Sequence, residues 1–159
     1  MEISNKVIDA TVEIFSTMLM MDIVPGEPVP REDLPFESSV TGMIGMAGLY
    51  KGVLAMHMPN QVAMKITGNF LGMDVEEVNE DVLDAIGELA NMLGGSVKSI
   101  LSEKGKDIEL SMPSTIAGEK YDFQIRENAD LLVVPFKVDE ENQFLVELQL
   151  MEQIPKDSS

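Results

Sequence analysis

Cysteine and tryptophan are absent, and His57 is the single histidine. The first absence rules out disulfides and thiol nucleophiles. Without cysteine or a second histidine, a zinc or other transition-metal site lacks its usual ligands, so no metal of the chain's own is expected. His57 stands in "VLAMHMP", an alternating run that reads as the end of a strand, and is expected to be structural. Hydrolase triads built on serine or cysteine would have this one candidate base. Basic residues are also scarce, 11 against 28 carboxylates, for a formal charge of −17. Nucleic acid and anionic membrane surfaces would meet net repulsion, and neither is an expected partner. A protein with basic groups around its site suits this charge better. No apolar run approaches the ~20 residues that span a bilayer. Acidic Glu2 and amphipathic spacing stand where a signal peptide has a basic start and an apolar block. A cytoplasmic protein without membrane insertion is expected.

What remains is a chain of 159 residues, 45% hydrophobic and 25% charged. Those totals suit one globular domain, drawn here as 1–155 with a frayed tail at 156–159. Residues from Asn5 to about Met21 have helical spacing, with Val7, Ile8, Thr11, Ile14, Phe15, Met18 and Leu19 on one face. The stretch 24–35 holds four of the eight prolines and reads as a loop or extended connection. Two strands near 38–46 and 50–58 follow, joined by a tight turn at Gly48. The glycines at 42, 45, 48 and 52 suggest close backbone approach or bulges. The hairpin is expected to leave open edges where two subunits could pair. Asn60 is a candidate cap for a short helix stopped by Gly72. Asn79 or Asp81 caps the longest helix, which runs to about Glu103 and closes at Gly105. Strands are expected at 107–113, 121–127, 130–139 and 143–152, the last two forming a hairpin over "EEN". The fold class is α/β (α+β), with helices packed on a mostly antiparallel sheet.

Two helices share a pattern at an offset of 75. Val7, Asp9, Ala10 and Glu13 match Val82, Asp84, Ala85 and Glu88, and strands follow each helix. This favours a duplicated helix-plus-strands unit, with half-repeats at about 5–72 and 80–152. The copies differ where Ser16 answers Asn91 and Ser38 answers Pro113; if Asn is the working group, the first copy is degenerate.

On the long helix, Asp84, Glu88, Asn91 and Gly95 fall within a stripe roughly 60° wide, opposite the apolar face. Gly95 interrupts a helix where Ala would be more stable by roughly 1 kcal/mol. A missing side chain beside an amide lets another molecule come close. Spacing alone equally allows first-turn acids favoured by the helix dipole beside a neutral surface amide.

Asp84-x3-Glu88-x2-Asn91, the glycines after it, the distal Pro113 and the surrounding "ELANMLGGSVKSILS" resemble the active-site helix of the CheC/CheX/FliY family of bacterial chemotaxis phosphatases. The helix-hairpin-helix order of 5–72 and the strands after 107 are similar to that family's layout, so the resemblance covers nearly the whole chain. Ser16 in the first helix makes the chain similar to the CheX branch, which uses one site per subunit, rather than to CheC-like members with two. The resemblance implies a phosphatase acting on the phospho-aspartate of a CheY-like response regulator. In that role Asn91 orients the attacking water and Glu88 pairs with the receiver's lysine. Asp84, Gly94, Gly95 and Pro113 would contact or shape the partner's approach. Magnesium would come with the phosphorylated receiver, and a homodimer is expected. The alternative is a non-catalytic adaptor that binds a receiver or a flagellar switch component.

Overall fold

Three helices lie against one face of a seven-stranded antiparallel sheet in the computed structural model, which describes residues 3–30, 39–102, 107–119 and 129–152. The elements are α1 (Ser4–Met18), β1 (Val24–Pro25), β2 (Ser39–Gly48), β3 (Tyr50–Pro59) and α2 (Asn60–Leu71). They continue with α3 (Glu80–Leu101), β4 (Ile108–Leu110), β5 (Ser114–Gly118), β6 (Asp130–Lys137) and β7 (Gln143–Glu152). Strand order is β1-β6-β7-β3-β2-β4, and β5 also pairs with β2 beyond β4. The expected fold class holds.

The two hairpins are set by their turns. Gly48 ends β2 with φ +118°, a left-handed value that favours glycine, and a β-carbon there would collide with the Asp107 carbonyl oxygen. At the other hairpin, Asp139 Oδ1 accepts from the backbone N–H groups of Glu141 and Asn142, both at 2.8 Å. The Asn142 side-chain amide and those N–H groups hold the Asp139 carboxyl below its ordinary range. The strands of each hairpin run next to each other, and the hairpins join through β3 and β7, with Ala55 opposite Glu147 and Gly52 opposite Leu150. The two hairpin strands β2 and β3 therefore lie inside the sheet, and its margins among the described residues are β1 on one side and β4 with β5 on the other. That corrects the expectation of open edges on the glycine-rich hairpin.

Other boundaries shifted for local reasons. Within the described part of that stretch, 24–30, Val24 and Pro25 form a two-residue strand paired with Lys137 and Phe136. Pro59, not Asn60, is the N-cap of α2; it makes no side-chain cap bond, and Asn60 is the first helical residue. Gly72 closes α2 in the left-handed conformation, as expected. Asn79 caps α3, its side-chain oxygen accepting from Val82 N at 3.2 Å. α3 ends at Leu101 with Ser102 as C-cap. Gly105 and the strand expected at 121–127 lie outside the described residues.

The helix-facing core holds Phe15 of α1 stacked on Phe144 of β7 at 4.9 Å, with Phe136 of β6 at 5.2 Å from the same ring. The other face of the sheet has buried residues too, and among them is a polar cluster. Thr41 Oγ1 lies 2.8 Å from His57 Nδ1, and His57 Nε2 lies 2.9 Å from Glu147 Oε1. Gln149 donates to the second oxygen of Glu147 at 2.8 Å. These four buried residues tie β2, β3 and β7 together. His57 is thus inside β3 and has a structural setting.

α3 is held low on the sheet by two glycines. A β-carbon on Gly42 of β2 would stand 2.9 Å from Ile86 Cγ2 and 3.0 Å from the Ile86 carbonyl oxygen. A β-carbon on Gly94 of α3 would stand 2.9 Å from Ile44 Cγ2, and Ile44 is buried. The neighbouring Gly95 has nothing within 4 Å of such an atom. Adjacent Gly→Ala changes should therefore move stability in opposite directions. Gly95→Ala should gain up to ~1 kcal/mol from helix propensity. Gly94→Ala should lose ~1 kcal/mol net, because overpacking of roughly 1–3 kcal/mol exceeds the same propensity gain. Urea denaturation of the two variants measures both.

Candidate active site

The position of the stripe on α3 follows from which residues the core takes. Val82, Ala85, Ile86, Leu89, Ala90, Leu93 and Val97 are buried against the sheet and the other helices. With 3.6 residues per turn, that set leaves Asp84, Glu88, Asn91 and Gly95 on the outward side. Asp84 and Glu88 are exposed, and Asn91 and Gly95 are half-buried. Among the described residues, none of the three polar side chains is tied into a hydrogen bond or ion pair with another residue. The Asn91 amide is therefore open to an incoming molecule, with a carboxylate one turn away and a bare backbone one turn further on.

Gly94 departs from expectation. It is buried beneath the helix against Ile44, so it serves the approach of α3 to β2 and presents nothing to a partner. The sequence assigned both glycines to one purpose. The structure separates them, because consecutive residues on a helix point 100° apart.

Pro113 stands on the other flank of the stripe. A β-carbon on Gly87 would sit 3.4 Å from Thr115 Cγ2 and 3.9 Å from Pro113 Cβ, which puts the β4–β5 connection alongside the residue preceding Glu88. That connection is anchored to β2. Ser111 N donates to the Gly45 carbonyl at 3.0 Å, and Gly45 N donates to Ser111 Oγ at 2.9 Å. Ser111 Oγ donates in turn to the Met112 carbonyl at 3.0 Å. Met112, 86% exposed, was not singled out from the sequence, nor was β5 read as a strand. Their only signal is the short run "STIAG" after a proline.

The equivalent residues of α1 are also at the surface: Asp9, Glu13 and Ser16 are all exposed. Among the described residues, no group of three or more His, Asp or Glu side chains could hold a metal ion. No described helix is long and apolar enough to cross a membrane. An amide and a carboxylate on an open face can orient a water and grip a cation. They offer no hydroxyl, thiol or imidazole of the kind a hydrolase triad uses.

Comparison with known proteins identifies the family. The family model for the chemotaxis phosphatase CheX matches residues 40–137. The CheY-P phosphatase CheX of Thermotoga maritima is 27% identical over 149 residues, covering 93% of this chain and 95% of that protein. The crystal structure of the chemotaxis protein CheX from Vibrio vulnificus superposes with a TM-score of 0.83 at 26% identity, over 95% of this chain and 100% of that one. The CheX chain in the CheX–CheY–BeF3–Mg complex from Borrelia burgdorferi shares the fold, with a TM-score of 0.81 at 20% identity over 94% of this chain and 97% of that one. With a family match across more than half its length, and an open amide-carboxylate stripe on its longest helix, the chain belongs to the CheX family of chemotaxis phosphatases.

Proposed function

We propose that this chain hydrolyses the phospho-aspartate of a CheY-like receiver domain, with Asn91 orienting the attacking water and Glu88 gripping the receiver. The observation that carries the reading is the Asn91 side chain, left without a partner among the described residues on an accessible face beside Glu88 and Gly95. The CheX relative in T. maritima is named for the same substrate, and the B. burgdorferi complex pairs a CheX with a CheY.

An acyl phosphate is already activated, and phosphoryl transfer is chiefly a matter of positioning and charge stabilisation. The carboxamide oxygen of Asn91 accepts a hydrogen bond from the water, which turns a lone pair toward phosphorus. The new oxygen–phosphorus bond forms in line with the breaking bond to the aspartyl oxygen. The products are inorganic phosphate and the free carboxylate of the receiver. Glu88, one turn away, pairs with a lysine of the receiver and fixes the register of α3. Asp84 extends the acidic edge, and Pro113 shapes the connection beside it. In this reading magnesium belongs to the receiver, as a metal present in the B. burgdorferi complex, and α3 supplies no ligand to it. The reaction takes place in the cytoplasm with its substrate.

The assay is loss of phosphate from an acetyl-phosphate-labelled CheY-type receiver in magnesium. The wild-type chain should accelerate it. Asn91→Ala should lower kcat by at least ~100-fold, the scale for one positioned polar group, with the fold retained by circular dichroism. Glu88→Ala should weaken productive binding by roughly tenfold or more, as expected for a lost charge-assisted hydrogen bond. A wild-type chain that binds the receiver in a Glu88-dependent way without speeding dephosphorylation would instead be an adaptor.

We also propose a homodimer joined along the margin formed by β4 and β5. Within that margin Ser114–Gly118 carries no charge and Ile116 is 42% exposed, so among the described residues this stretch is the one open to pairing. Light scattering should return twice the 17.5 kDa chain mass, and Ile116→Lys should return the chain mass itself.

A further inference from the structure

The stripe that carries Asn91 is too small to hold a protein by itself. From Asp84 to Gly95 it runs roughly 16 Å along a helix roughly 10 Å across. A specific protein–protein contact covers about 800 Å² on each partner. Any protein seated on Asn91 must therefore spread over a flank of α3. One flank is the Met112–Pro113 connection. The other is a groove of about 580 Å³ between α1 and α3.

That groove shares Gly95 with the stripe. Its α3 wall includes Met92 and Ser99, and its α1 wall includes Lys6, Asp9 and Glu13. Asp9 and Glu13 are exposed, and neither forms an ion pair among the described residues. Nothing lies within 4 Å of where a Gly95 side chain would begin, so the floor is open at the point where groove and stripe meet. The degenerate helix thus borders the working one.

Resting on the phosphatase reading above, we propose that the α1–α3 groove is the second docking surface for the same receiver. Its occupant is a surface element that presents lysine or arginine to Asp9 and Glu13 and packs against Met92. The occupant follows from continuity and from charge. A body placed at Asn91 covers Gly95 and hence the groove's mouth, and two carboxylates against the single Lys6 leave the groove net acidic, which favours a cationic face. Asp9 and Glu13 are positioning residues in this scheme: they set where the receiver sits and leave the attack on phosphorus to α3. The first copy of the Asp-x3-Glu pattern would then persist as a docking element although its third position is Ser16.

The test is steady-state kinetics on the magnesium-loaded, acetyl-phosphate-labelled CheY-type receiver that the wild-type chain dephosphorylates. Asp9→Lys/Glu13→Lys should raise KM about tenfold with kcat within twofold of wild type. The same pair should flatten the dependence of KM on sodium chloride. Glu76→Lys/Glu77→Lys makes the same change in net charge on the α2–α3 connection, away from the groove, and should leave KM within twofold. Gly95→Ala should raise KM while raising stability, which separates obstruction from misfolding. An unchanged KM in the Asp9/Glu13 pair, or an equal rise in the Glu76/Glu77 control, overturns the docking surface and leaves the phosphatase reading intact. Activity that survives in Asn91→Ala moves the chemistry to another residue, and a wild-type chain that does not speed dephosphorylation overturns the phosphatase reading itself.

Discussion

The close contact between α3 and β2 is the constraint on which the rest depends. Gly42 lets the sheet accept Ile86, and Gly94 lets the helix accept Ile44, so the two backbones approach from both sides. Each large aliphatic side chain buried under α3 contributes roughly 1.5–3 kcal/mol, and Ile86, Leu89, Leu93 and Val97 are all essentially inaccessible. Rotating the helix by one residue would exchange some of these for Asp84 or Glu88. A buried, unpaired carboxylate costs several kcal/mol, so the core alone settles the rotation. The outward direction of Asn91 is then a consequence of packing. The side chains that face a partner contribute little to holding the helix, and they are free to be chosen for chemistry.

The opposite face of the sheet bears on the mechanism from the other direction. The only histidine is fully buried there, between Thr41 and Glu147, with the sheet separating it from α3. The imidazole is therefore out of reach of any molecule on the stripe. In the proposed reaction, hydrolysis depends on a substrate that is already activated and on a water that needs direction. That fits an acyl phosphate, whose leaving group is a carboxylate, better than a phosphate monoester with its poorer leaving group.

Local patterns made the helices legible. The 3.6-residue spacing of α3, its cap at Asn79 and the stop at Gly72 each express a local rule, and each holds. The strands of both hairpins were legible by alternation. Sheet order was not, because pairing β3 with β7 joins residues some ninety positions apart, and no short-range signal encodes it. That pairing moved the expected free edges of β2 and β3 into the interior. β5 was missed because a five-residue, mostly exposed strand carries no buried alternation. Gly94 and Gly95 look identical in the sequence; only the rotation of the helix gives one to Ile44 and the other to solvent.

The contrast between α1 and α3 shows how narrow the chemical requirement is. Both present an Asp, a Glu one turn later, and a short polar residue three positions beyond that. The amide oxygen of Asn lies one bond further from the backbone than the hydroxyl of Ser16, a difference of about 1 Å or more. Misplacing a reacting group by about 1 Å can cost a hundredfold in rate. A serine at this position also exchanges a fixed planar acceptor for a rotating hydroxyl that can bond back to its own helix. Charge contacts tolerate such displacement far better, since an ion pair between flexible side chains weakens gradually with distance. If α1 and α3 arose as copies of one unit, losing the amide would end catalysis on one helix while its carboxylates could still attract a cationic partner. On that reasoning, two faces with nearly the same sequence pattern divide into one that positions water and one that positions protein.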